Sequence, residues 1–422
     1  MRSLLIPFLF ASVVAAAEGD ESCLKCHNDR DALEKARTDK ARDLETLLVD
    51  AERYQRSVHE QVGCGECHFD YDTHPHGEDA ESVTCAECHD EAQNEYAGSV
   101  HGKGVEEGKP VATCAACHGV HDVLHPGDRE STLYPLNVHL TCGKCHFGID
   151  PAKATQEELL DEPYLGDSHG HGILKQGLIV SATCTSCHGD HGIKPKGDPE
   201  SVIARTRVSA KCGECHLGAW EEYQQSIHFV QHTETEQMGA TCSDCHRPHH
   251  MTQKEKSFRA QSLETCAECH AERKGTFLIS YHGKRAMVGF EEEVATCGDC
   301  HANHLVLPAS DPRSMIHEDN IVATCAQCHP GSHTEFAKYQ VHLDPSDPDG
   351  DPKVHFIWVF MNTLFVCVLI VGCLHALLWL VRATVAGEWK RPPPSKEEKR
   401  IYRRWRPSYV FYHLVLMTSV LM

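Results

Sequence analysis

The pattern Cys-x-x-Cys-His recurs eleven times, and it constrains this chain more than any other feature. Numbered one to eleven in chain order, its cysteine pairs are Cys23 and Cys26, Cys64 and Cys67, Cys85 and Cys88, Cys114 and Cys117, Cys142 and Cys145, Cys184 and Cys187, Cys212 and Cys215, Cys242 and Cys245, Cys266 and Cys269, Cys297 and Cys300, and Cys325 and Cys328. Zinc sites and thioredoxin-like pairs also use Cys-x-x-Cys, but neither explains a histidine directly after the second cysteine in every copy. Covalent haem does. The two thiols add to the haem vinyl groups, and the adjacent histidine is thereby placed under the iron as proximal ligand. The proximal candidates are His27, His68, His89, His118, His146, His188, His216, His246, His270, His301 and His329, so the chain reads as carrying eleven c-type haems. The two cysteines outside the pattern, Cys367 and Cys373, lie in an apolar stretch and read as small packing residues.

Aromatic residues make up only 7% of the chain, too few for an ordinary apolar core, so the macrocycles are expected to fill the interior. No sustained two-residue alternation marks strands. The expected fold is mainly α with much irregular coil: a multihaem cytochrome c array with short helices starting near the proximal histidines, followed by C-terminal transmembrane helices. Loops rich in Gly, Pro and Asp, such as 194–200 and 309–314, should join the helices. The repeat, one unit per pair of motifs, suggests an extended array in which neighbouring units contact each other.

A second periodicity supplies candidates for the opposite face of each iron. After motifs one, three, five, seven, nine and eleven comes a segment, often aromatic-x-x-Ser-x-His, that ends at His59, His101, His169, His228, His282 and His342. Its clearest copies are Tyr54 to His59, Tyr96 to His101 and Tyr223 to His228; the other three are looser. After motifs four, six, eight and ten, a second histidine follows three residues behind the proximal one: His121, His191, His249 and His304. Motif two is followed by His74 and His76, of which His76 is preferred. The candidates then equal the irons in number, so each iron can take two imidazoles, which implies low reduction potentials. Which distal histidine serves which iron is not given by their order.

The N-terminus has the parts of a secretory signal: Arg2, an apolar run from Leu4 to Val14, and small residues Ala15 to Ala17. The expected organisation is a signal peptide at 1–17, an exported haem domain at 18–343, an acidic linker at 344–353 and a transmembrane helix at 354–381. A basic cytoplasmic loop at 382–408 follows, and 409–422 is expected to begin a second span that continues beyond this sequence. Lys and Arg outnumber acids in the loop, which places it in the cytoplasm and the haem domain in the periplasm or outside the cell. The net charge of -21 argues against a nucleic-acid partner.

Ionisable residues within spans are functional candidates by default, and here these are His375 and His413. They lie at similar depths, since His375 precedes Arg382 and His413 follows Arg406 by the same number of residues, about 10 Å of helix. That placement would suit a non-covalent b-type haem held between the two helices.

The eleven motifs with their Ser-x-His and Cys-His-x-x-His partners resemble the multihaem cytochromes of anaerobic respiration. The segments Gly372 to Arg382 and Arg404 to His413 resemble the start of the dihaem cytochrome b subunits of formate dehydrogenases and nickel–iron hydrogenases. Their combination is similar to the fused inner-membrane b/c cytochromes of metal-respiring bacteria. That resemblance implies quinol oxidation at the membrane and electron delivery to a periplasmic or extracellular redox partner. The alternative function, a terminal reductase of a nitrogen or sulfur oxyanion, needs one iron with an open position. No Cys-x-x-Cys-Lys motif of the kind that marks the catalytic haem of nitrite reductases occurs.

Overall fold

The computed structural model describes residues 18–37, 40, 43–69, 71, 83–148, 164, 166–229, 239–249, 258–290 and 293–385. The signal peptide, His74, His76, residues 386–408, His413 and the second apolar run lie outside them. The chain divides into two units, Met1–Gln340 and Val341–Met422.

In the first unit the described residues form short helices and turns, with no strands. The motifs take two alternating forms, set by what flanks them. Motifs four, six, eight and ten are single-turn helices, Cys114–His118, Cys184–His188, Cys242–His246 and Cys297–His301, each entered through a threonine. In three of them the third helical residue caps the turn from within: Ser186 Oγ, Asp244 Oδ2 and Asp299 Oδ2 accept from the backbone N–H of Thr183, Thr241 and Thr296 at 3.0, 2.7 and 2.7 Å. Each turn stops directly after the histidine, at a residue with positive φ: Gly119, Gly189, Arg247 and Ala302. Such a backbone cannot continue a helix and sends the chain back past the motif.

Odd-numbered motifs differ. Motif one closes the helix Glu18–His27, which carries both Cys23 and Cys26. Motif three opens in the 3-10 turn Cys85–Glu87, and its second cysteine, the exposed Cys88, ends that turn by donating its backbone N–H to the Cys85 carbonyl. A helix leads into motif five (Val138–His146), seven (Val208–Gly213), nine (Phe258–Ala267) and eleven (Ile321–Ala326). New helices then start directly behind the proximal histidines of motifs three, seven and nine: Asp90–Ala97, Leu217–Tyr223 and Ala271–Ile279. Helices starting near proximal histidines, as the sequence led us to expect, are thus seen at these odd motifs, whereas at the even ones the helix ends there.

The connecting loops repeat as well. Ser131, Ser201 and Ser314 are buried, and each hydroxyl donates to a carbonyl seven residues upstream, on Leu124, Lys194 and Leu307, at 3.3, 3.1 and 3.3 Å. The backbone N–H of each serine also donates to Asp128, Asp198 or Asp311. These bonds hold irregular backbone in place without strands. The apolar core is thin. Tyr164 and Ile173 pack with Leu136, Phe147 and Leu174, and Trp220, Tyr223 and Phe229 form an aromatic contact group.

The second unit is dominated by the helix Pro352–Val385, which Asp351 caps by accepting from the N–H groups of Lys353 and Val354 at 2.9 and 3.2 Å. With 34 residues and a mean hydropathy of 2.7 over its most apolar stretch, it is the one helix among the described residues long and apolar enough to cross a membrane. At 1.5 Å per residue it extends about 50 Å, against about 30 Å of bilayer hydrocarbon. His375 and most of the helix's large apolar side chains are exposed.

Candidate functional site

A metal–imidazole bond is about 2 Å and the ring centroid lies about 1 Å behind the bonded nitrogen, so two imidazoles sharing a metal stand about 6 Å apart, centroid to centroid. Nine pairs of histidines among the described residues are spaced in this way, from 5.9 to 6.4 Å. Every pair joins one motif histidine to one candidate distal histidine.

The pairing follows a rule. His59, His101, His169, His228 and His282 face His89, His146, His216, His270 and His329, so the segment behind each odd motif reaches forward to the next odd motif. His121, His191, His249 and His304 face His68, His118, His188 and His246, so the histidine behind each later even motif reaches back to the preceding even one. Motifs one and ten stand at the two ends of these series. Of the remaining candidates, His76 lies outside the described residues and His342 belongs to the second unit. His27 donates from Nδ1 to the Leu47 carbonyl at 2.7 Å, which leaves Nε2 as the ring's acceptor.

Local sequence fixes the forward-reaching histidines. Ser57, Ser99, Asp167, Ser226 and Ser280 are all buried, and each accepts a backbone N–H two or three residues ahead, capping the turn or helix that bears the distal histidine. Upstream, the hydroxyls of Tyr96, Tyr164 and Tyr223 donate to the carbonyls of Ala112, Ala182 and Ala240 at 2.7, 2.6 and 3.0 Å, and that of Tyr54 donates to the Val62 carbonyl. The copies ending at His169 and His282 therefore match the clear ones: Asp167 caps in place of serine, and Phe277 takes the tyrosine position without its hydroxyl. Glycine follows His101, His169 and His282, and at the first and last of these the reason is spatial. A Cβ on Gly102 or Gly283 would lie 2.1 Å from the carbonyl oxygen of Tyr96 or Phe277.

One backbone bond ties the two series together. Val58, Val100 and Ile227, each directly before a forward-reaching histidine, donate to the carbonyls of Val123, Ile193 and Val306 at 2.9 Å. Each acceptor lies two residues after a backward-reaching histidine.

Burial lowers the pKa of His68, His101, His118, His121, His188, His228, His246 and His282, and for all but His68 the facing imidazole lowers it further. The site thus favours neutral imidazole, the form that binds metal. Two more imidazoles, His139 and His171, bury Nδ1 with no hydrogen-bond partner among the described residues, leaving polar atoms that an added polar group would satisfy.

The cysteines give the order of the motifs in space. First cysteines stand in pairs, close enough for one thiol to perturb the other: Cys85 with Cys114, Cys142 with Cys184, Cys212 with Cys242 and Cys266 with Cys297. Other contacts bridge the gaps between these pairs: Cys67 acts electrostatically on Cys85, Cys142 and Cys145 on Cys117, Cys215 on Cys187, Cys269 on Cys245, and Cys325 and Cys328 on Cys300. His27 acts likewise on His68. Neighbours in sequence are therefore neighbours in space along the whole series. The motif cysteines range from the half-buried Cys23 and Cys26 of motif one to the exposed Cys85 and Cys88 of motif three and the exposed Cys328 of motif eleven. No disulfide joins them, and each motif places two thiols beside a histidine. The donor set and the spacing of the facing imidazoles fit covalent haem.

Known proteins agree with that chemistry. The family described as doubled CXXCH motif matches residues 234–275, which contain motifs eight and nine. The multiheme cytochrome MtrA of Shewanella baltica (strain OS185) is 26% identical over 205 residues, covering 46% of this chain and 53% of the relative. The chain thus spans about half the length of the curated relative it matches. No solved structure matches. The motif and this likeness support a multihaem c-type cytochrome with covalent haem, and electron transfer is the activity they suggest.

Proposed function

We propose that this chain is a membrane-tethered electron conduit in which eleven c-type haems, each held by two histidines, relay electrons between the membrane quinol pool and a periplasmic or extracellular acceptor. The observation that carries the reading is the set of nine imidazole pairs about 6 Å apart, each uniting one motif histidine with one distal candidate. Bound haem supplies one-electron chemistry at low potential. The chain's own part is to present a neutral imidazole on each face of an iron and to fix the spacing between irons.

From motif two to motif eleven, cysteines of consecutive motifs lie close enough to act on one another electrostatically, which supports short transfer distances. In this reading His76 and His342 complete the ligand set, the haem array is exported, and Pro352–Val385 spans the inner membrane. His375 and His413 would hold b-type haem at the quinol-facing end, either within this chain or with a partner that completes the membrane part.

A pyridine haemochrome assay with intact mass on the detergent-extracted protein tests this. Eleven covalent haems, extractable b-type haem and low-spin spectra throughout are expected. Fewer covalent haems, or a high-spin iron that binds nitrite or cyanide in the native protein, would overturn the conduit in favour of a reductase.

A further inference from the structure

Two backward-reaching histidines face a carboxylate in the same register. Glu95 Oε2 lies 3.8 Å from His191 Nδ1, and Glu222 Oε2 lies 3.6 Å from His304 Nδ1. In both cases the glutamate directly precedes the tyrosine that bonds the next alanine carbonyl, Tyr96 or Tyr223, so the same helix end delivers it. Nδ1 is the nitrogen left over when Nε2 binds iron, and a carboxylate there receives its N–H and raises the basicity of the ligand. The gaps exceed a hydrogen bond by less than about 1 Å, and the exposed glutamates can close them by rotation.

The N-terminal repeat lacks this arrangement at the equivalent place. Arg53 precedes Tyr54, and it pairs at 3.0 Å with Asp122, the residue next to His121. Asp122, which acts on His121, thus shares its charge with an arginine.

We propose that Glu95 and Glu222 are positioning residues that bond the Nδ1–H of His191 and His304 and make the irons of motifs four and eight harder to reduce than that of motif two. The inference rests on two-histidine ligation. Under partial reduction, electrons would then avoid two regularly spaced sites, dividing the conduit into segments.

Spectroelectrochemical titration and EPR of the full-length, detergent-extracted protein test it in Glu95→Gln, Glu222→Gln and, as a control, Glu91→Gln. Glu91 is exposed on the same helix as Glu95, so the control removes one charge at another position. Each of the first two variants should move about one-eleventh of the haem absorbance change to higher potential and shift one low-spin EPR signal, with haem content unchanged. The control should superimpose on the wild type. Unshifted titrations with intact low-spin spectra, or an equal shift in Glu91→Gln, would overturn the inference and leave the ligation reading standing. High-spin iron in the unsubstituted protein would instead sink the ligation reading itself.

Discussion

Odd and even motifs set a second imidazole opposite the first by moving in opposite directions along the chain. Behind odd motifs, a helix, a buried cap and a tyrosine bond carry the distal histidine forward to a motif not yet reached. Behind motifs four, six, eight and ten, a three-residue step through a positive φ turns the histidine back to a motif already passed. The forward arm is long, and its accuracy depends on capping and packing; the backward arm is short, and its accuracy depends on backbone conformation. Because the two series interleave, each motif lies between segments that serve its neighbours.

Exchanging partners is the strongest way to break this comparison. His228→Ala should create one high-spin haem, which vanishes when Cys266 and Cys269 are also replaced by Ala and persists when Cys212 and Cys215 are replaced instead. For the backward arm, the high-spin signal of His249→Ala should vanish with loss of Cys184 and Cys187 and persist with loss of Cys242 and Cys245. EPR and haem counts on the double-site variants decide both, and a signal that follows the motif nearer in sequence would refute the pairing rule.

Glycine substitutions separate the arms by their packing. Gly102→Ala forces a Cβ to within 2.1 Å of the Tyr96 carbonyl and should cost about 1–3 kcal/mol, read as a lowered Tm. Gly192→Ala, beside the backward-reaching His191, has nothing within 4 Å of the new Cβ and should leave Tm nearly unchanged. Equal losses would show that the two arms are equally packed.

Removing a cap is milder. Ser99→Ala deletes the acceptor for the Gly102 N–H and should cost about 1 kcal/mol in thermal unfolding, with Ser99→Asp restoring most of it, as Asp167 does naturally.

The smallest effect is on pH dependence at an even motif. Burial pushes the Asp244 carboxyl up, but bonds from Arg205 and Thr241 outweigh this and hold it below the usual range. A depressed folded-state pKa means stability that is present above the unfolded value and is lost as pH falls through the folded one. Acid unfolding curves of Asp244→Asn should therefore be flatter below about pH 4 than those of the unsubstituted chain. Parallel curves would show that Asp244 contributes nothing through its charge.

Much of this could be read in the sequence, and the parts that could not have a common cause. The proximal histidines, the backward candidates and the aromatic-x-x-Ser-x-His copies depend on spacing within a few residues. The copies ending at His169 and His282 read as looser, yet the structure shows the same device in both, because capping needs an acceptor oxygen rather than serine itself and the ring position tolerates loss of the hydroxyl. The pairing of His59 with His89, or of His121 with His68, was not legible, because nothing local says which distant segment a histidine will face. Glu95 and Glu222 were missed for the same reason: each looks like a solvated helix residue until the returning loop brings His191 or His304 to it.

The opposed directions of reach also set a timetable. A chain made from its N-terminus has His59 available before motif three appears, so each odd-numbered site from there on has both imidazoles to hand as soon as its own motif emerges. Motif four waits for His191, which lies beyond motif six, and motif eight waits for His304. When the next odd motif has emerged, the even motif before it is still half-built while the odd motifs on either side, from motif three on, have both imidazoles. An interrupted chain would end with one open position close to its growing end.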